Sequence, residues 1–360
     1  MKITSFLFAL AFIVLANFAF SLDHYWVGGT GNWSVAGNWS TVGSGSAPTA
    51  TLPGSFDNVI FDGAGMVATD VVTMDIAVDV YNFDFSAAPS FVLTSALPSI
   101  QVRGSLIGNG AVTFGGWTGD IIMNNAGVDQ LLSNGTIWNQ TFRFPANTGT
   151  IQIADDFFTT GDFHTDLANL FAWGGITMTF KDFYSNNVAA AKVFNFSTST
   201  INLEGTIWDV NPTNMSLIAG IINANNPGAV TFTGGGQVYN DIISSSSNLT
   251  VNNDNTFSLI SLAPASQLTL ANGSLQLFDS LYTDCGPLPT TIFSAAGAPG
   301  QLQKTGYPNY VASHLTVDNV NALSPGSETY SLVNSTLVNG SIGWTSSATS
   351  NYYWIGGTGN

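Results

Sequence analysis

The chain has 360 residues, and although only 8% are charged its formal net charge is −16. Six basic residues against 22 acidic ones exclude a nucleic-acid or anionic-membrane binder, since neutralising phosphate takes clusters of Lys and Arg. A hydrophobic content of 45%, with 12% aromatics, excludes a disordered chain.

In chain order, residues 1–21 read as a signal peptide. Lys2 opens it, an apolar run follows from Phe6 to Phe20, and Ala19 and Ser21 suit cleavage after Ser21. The run is short for a span of ~20 residues. Secretion is therefore expected, to the cell surface or beyond, with no membrane insertion of the mature chain. Five basic residues then remain: Arg103, Arg143, Lys181, Lys192 and Lys304. The single Cys285 allows no intrachain disulfide, and it reads as a small buried apolar residue.

Residues 22–56 are rich in Gly and Trp and form an N-terminal cap or repeat junction. Residues 57–282 carry short phrases of period-two alternation closed by Gly, Asn, Ser or Pro, such as DNVIF at 57–61 and AVTFTGGG at 229–236. The clearest is SQLTLANGSLQLFDSL, residues 266–281. There Leu268, Leu270, Leu275, Leu277 and Leu281 are expected to point one way. No helical stripe with caps is present. The phrases return at loose intervals without an even hairpin rhythm, which favours coils of roughly 20 to 25 residues. The expected fold is an all-β, right-handed parallel β-helix; the alternative is a β-sandwich array. Low charge fits a coil, because like charges stacked about 4.8 Å apart repel, whereas Asn and Thr can hydrogen-bond. Residues 283–350, with more Pro and Gly, read as a connector and closing rungs, and residues 351–360 as the start of the next repeat unit.

That last reading rests on a recurrence. Tyr25-Trp26-Val27-Gly28-Gly29-Thr30-Gly31-Asn32 returns as Tyr353-Trp354-Ile355-Gly356-Gly357-Thr358-Gly359-Asn360. GNWS also occurs twice, at 31–34 and 37–40. Gly28, Gly29 and Gly31 are expected in tight turns, with Tyr25, Trp26, Trp33 and Trp39 covering an open end of the core. YWVGGTGNWS followed by LPGSFDNVIFD at 52–62 resembles the unit opening of giant repetitive secreted proteins of Bacteroidetes-type bacteria. The resemblance extends through the later phrases over most of the mature chain. It implies repeated units, an adhesive or surface-coating role, and type IX export and attachment through a C-terminal domain. This chain stops within the second phrase, so by that resemblance it is a fragment.

Candidate chemistry is sparse. Asp155, Asp156, Asp162 and Asp166, with His164 among them, could offer calcium its oxygens, but their spacing matches neither an EF-hand loop nor a nonapeptide calcium roll. No other cofactor is expected. No nucleophile motif is present, GGTG lacks the context of a phosphate loop, and His24, His164 and His314 are solitary and read as surface or turn residues. A lyase needs a placed base and a glycosidase two opposed carboxylates; neither is marked. Trp117, Trp138, Trp173 and Trp208 are candidates for stacking on sugars. The expected function is a non-enzymatic extracellular structural or adhesion module, one repeat unit of a larger surface protein. Its partners would be adjacent repeat units, and glycans or host surfaces. The alternative is a carbohydrate-binding or carbohydrate-active β-helix module.

Overall fold

A computed structural model describes residues 21–146, 149–165, 169–172, 174–185, 192–210, 215–218, 220–283, 288–306, 309–324, 326 and 329–347. The signal segment up to residue 20, Asp166, Trp173, Cys285 and the second copy of the opening phrase lie outside them. The chain is all-β and coils as a parallel β-helix of about 12 turns. It divides into two compact units, Met1–Phe180 and Lys181–Asn360. Among the described pairs only Tyr25–Trp26 with Trp39–Ser40 is antiparallel, which decides against the sandwich array.

In the first unit, alternation places every second residue inside and the coil stacks like upon like. Val59, Phe83, Leu106, Leu131 and Ile153 follow one another in register, all fully buried. A second column runs Ile100, Ile121, Phe142, Phe163, one step every 21 residues. Each such side chain contributes about 1.5–3 kcal/mol by leaving water. Without a cross-link, these columns carry the fold.

The second unit repeats the device with uneven corners. Its column Val230, Leu249, Leu268, Ile292, Val317 advances by 19, 19, 24 and 25 residues. Strands keep their register while corners absorb the difference. Asn134 in the first unit and Asn253, Asn319, Asn334 and Asn339 in the second sit at positive φ, which Asn tolerates better than most residues. One stretch overturns an expectation. Leu268, Leu270 and Leu281 are buried, but Leu275 and Leu277 face outward while Gln276 and Phe278 take the inside. The alternation carries on unshifted through the turn at Asn272 and Gly273 (φ +72), so the even-numbered positions stay inside, and only the bend at Asp279-Ser280 moves it by one residue to bury Leu281. Buried Gln276 is satisfied there: its Oε1 accepts from Asn255 Nδ2 at 3.0 Å, and its Nε2 donates to Asn253 O at 2.6 Å.

On the outer faces of the coils, polar side chains, most of them amides and hydroxyls, bond along the coil axis. Asn58 Nδ2 donates to Asp23 Oδ1 at 2.7 Å, Asn82 Nδ2 to Asn58 Oδ1 at 2.8 Å, and Ser105 N to Asn82 Oδ1 at 2.7 Å. The second unit has its own pairs, Asn223 on Asn202 and Thr269 on Asn248, both at 2.9 Å. The few cations follow the same rule. Arg103 forks onto Asp79 of the preceding coil with two 2.7 Å bonds, and Arg143 bonds Asp120.

The ladder of the second unit forks near its end. Strands Val238–Ser244, Asn255–Leu262 and Leu275–Thr283 each run through a bend and stay paired along their length. The next strand, Gly300–Lys304, pairs with only the Leu275–Phe278 part of Leu275–Thr283 and on its other side with Val320–Ala322. Asn309–Ser313 instead opens a separate sheet with Thr329–Val333 and Trp344–Ser347. Among the described residues, Asp279–Thr283 is thus left with one free edge. The helical ladder itself does not stop at 282, since Thr290–Ser294 and Leu315–Asp318 extend the inner column beyond it. Both strands lie in the segment 283–350 read as a connector and closing rungs.

Candidate functional site

The opening phrase builds a lid. Strand Asp23–Trp26 stacks in parallel on Asn58–Asp62, and Trp39–Ser40 pairs on its other side. Trp26, Trp33 and Trp39 are buried together, with Trp39 edge-on to both others at centroid distances of 4.9 and 4.6 Å. All three rest on Phe61, at 6.0 to 6.3 Å. Each of the paired indole N–H groups finds a carbonyl: Trp26 Nε1 bonds Gly29 O at 2.8 Å and Trp39 Nε1 bonds Trp33 O at 3.0 Å. Tyr25 alternates to the outer side and is only half-buried. Of the three glycines expected in turns, only Gly29 has positive φ, +59. Gly28 and Gly31 are needed for room, since a Cβ there would lie 2.4 and 2.6 Å from the Asn38 side chain.

The expected calcium and sugar residues have other duties. Asp155 accepts backbone N–H bonds from Ser133 and Asn134, and Asp156 accepts one from Thr177 at 2.7 Å. Asp162 lies 3.8 Å from His164. Among the described residues, no three His, Cys, Asp or Glu side chains converge on a possible metal position. Trp117, Trp138 and Trp208 do not offer ring faces to a sugar: they are 3%, 0% and 0% exposed. Trp208 is instead stacked between Phe183 at 4.2 Å and Phe232 at 5.6 Å. An indole at an inward position of a coil is a core residue, whatever small neighbours flank it.

His24 corrects another expectation. It shares the inward parity of Trp26 and is 2% exposed, with Nε2 3.4 Å from Asp57. Burial lowers its pKa although Asp57 pulls the other way, so the ring is neutral at pH 7. His314, at φ +57, is the turn residue expected.

Asp129 is a buried carboxyl with a perturbed proton. It is 7% exposed, and its Oδ2 and Asn125 Oδ1 are both buried acceptors without donors. Burial raises its pKa, only partly offset by a bond from Asn125. A raised folded-state pKa makes the ionised form costly in the fold. That cost is present above the folded pKa and fades as pH falls through it toward the unfolded value. Asp129→Asn removes the charge and supplies a donor. The variant is expected to melt several degrees above the parent at pH 7.5, a gain that vanishes near pH 4; a thermal-melt series across pH checks this.

The fork in the second unit opens a groove of about 480 Å³. Tyr282 and Val311 flank it, 59% and 66% exposed. Lys304 lies at its base, occupying the inward slot above Phe278. Its Nζ donates to Asp279 O at 2.5 Å, to Thr305 O at 3.2 Å and to Asp279 Oδ1 at 3.4 Å. Tyr310 is buried beside it and its hydroxyl donates to Leu281 O at 3.2 Å. Burial pushes the Tyr310 phenol up, keeping it protonated as that donor. Sequence reasoning did not find this place. The available signal was Lys304 itself, which falls on the same parity as buried Leu302.

Comparison with family models, curated proteins and solved structures returned no match. No helix among the described residues is long and apolar enough to cross a membrane.

Proposed function

We propose that the chain is a non-enzymatic structural and adhesion module, exported and displayed as one unit of a larger repetitive surface protein. The observation that carries this reading is the lid. It opens with a phrase, Tyr25–Asn32, that recurs 328 residues later, and the Trp26 of that phrase packs with Trp33 and Trp39 to close the first coil, so each recurrence would mark the start of a separately sealed unit. The rest of the molecule supports it. Aliphatic columns without a cross-link give resilience outside the cell. Arg103, Arg143 and Lys304 are bonded to acids within the chain, which leaves little basic surface for acidic polymers.

The test couples the chain to beads and measures their retention under flow on polysaccharide and glycoprotein films, assaying the same films for released sugars. Retention above bare beads with no soluble product is the expected result. Release of reducing ends or unsaturated sugars, or no retention on any film, would overturn the proposal.

A further inference from the structure

We infer that the groove between Asp279–Thr283 and Asn309–Ser313 is a binding site for a neutral saccharide. The inference deepens the adhesion reading by naming what the module holds, and it rests on that reading for exposure to glycans.

The groove exists because the ladder forks, and its shape is fixed from beneath. Where a further strand would have satisfied the edge of Leu275–Thr283, two side chains do so: Lys304 Nζ takes Asp279 O and Tyr310 Oη takes Leu281 O. Tyr330 fixes the base from the other side. Its hydroxyl accepts from Lys304 N at 2.6 Å and donates to Leu323 O at 2.9 Å. Gly306, at φ +81, leaves space for the Asp279 carboxylate; a Cβ there would lie 2.5 Å from Oδ1. The base is therefore preorganised, and a ligand need not order it.

These contacts also choose between occupants. An extended peptide adding to the edge would need its carbonyls, and Asp279 O and Leu281 O are already bonded. An anionic polymer would meet an ammonium already surrounded by three acceptors, one of them a carboxylate. What remains is the set of groups that recognises an uncharged sugar. Tyr282 offers an exposed ring face. Asp279, whose side chain is 55% exposed, offers a carboxylate acceptor. Ser261, Ser280 and Asn309 line the same space with hydroxyl and amide groups. In register, Ser261 stands directly beside Tyr282, a hydroxyl next to the aromatic ledge. The groove volume falls within the range of about 300–1,000 Å³ usual for small-molecule sites.

The experiment uses the full chain with cellohexaose, laminarihexaose, mannohexaose and N-acetylchitohexaose as neutral probes. Oligogalacturonate and an extended octapeptide serve as contrasts. Saturation-transfer NMR at millimolar probe is expected to show at least one neutral hexasaccharide bound and neither contrast. Tyr282→Ala is expected to weaken that binding about tenfold or more, and Asn309→Ala about threefold, with unchanged melting curves. Tyr282→Trp keeps a stacking face and is expected to retain binding. Absence of transfer from every neutral probe, binding unchanged in Tyr282→Ala, or binding of only a contrast would each overturn the inference. Bead retention that persists without saccharide binding removes the groove and leaves the module standing. Product release removes the module reading itself.

Discussion

Trp39→Ala is expected to unseal the first coil, at a cost of about 3–5 kcal/mol. Trp39 is fully buried and touches both other lid indoles, Phe61 and the edge of His24. Its backbone forms the outermost strand of the sheet, so its loss leaves Asp23–Trp26 as an edge. In a stacked architecture each coil leans on its neighbours, and damage at the end spreads inward by steps. Hydrogen exchange should show protection falling first in Asn58–Asp62, next in Phe83–Ala87, and less with each further coil. Size-exclusion chromatography should show self-association through the exposed edge. Val42→Ala, at a lid residue 75% exposed, should stay within about 0.5 kcal/mol of the parent. Equal effects of the two substitutions would show that the lid does not seal the core.

The second large effect tests the inner column. Leu249→Asp should prevent folding of its coil or cost several kcal/mol, because a carboxylate would be buried between Val230 and Leu268 without a partner. Thr250→Asp, one residue on, should be close to neutral. Thr250 stands on the outer face between Thr231 and Thr269, where water can reach the charge. Urea titration followed by far-UV circular dichroism compares the two. Similar losses at both positions would mean that the alternation does not separate inside from outside here. Asp129 shows the limit of tolerance: it is a buried carboxyl whose pKa burial raises, so its ionised form is costly in the fold.

Parallel coils were legible because alternation is a strictly local signal. Phrases such as AVTFTGGG show inside and outside residues by parity alone, and the column from Val230 to Val317 follows from stacking them. Which residues share a face is set by parity and not by residue type. Parity runs unshifted through Asn272-Gly273, so Leu275 and Leu277, odd where Leu268 and Leu270 are even, face outward and Gln276 takes the inside; the bend at Asp279-Ser280 then shifts it and buries Leu281. The tryptophans failed for a related reason. Trp138 and Trp208 resemble exposed platforms beside small neighbours, yet parity puts both inside. The groove was illegible, because Tyr282 and Asn309 are separated in sequence and meet only where a strand ends early. Nothing local announces that Gly300–Lys304 stops pairing at Phe278.

The amide pairs of Asn82 on Asn58, and of Asn223 on Asn202, have a consequence for habitat. Amide groups neither titrate nor gather counter-ions, and what binds them is short-ranged and unscreened. A molecule braced in this way should keep nearly the same firmness in fresh water and in brine, a tolerance that a surface laced with ion pairs would lack.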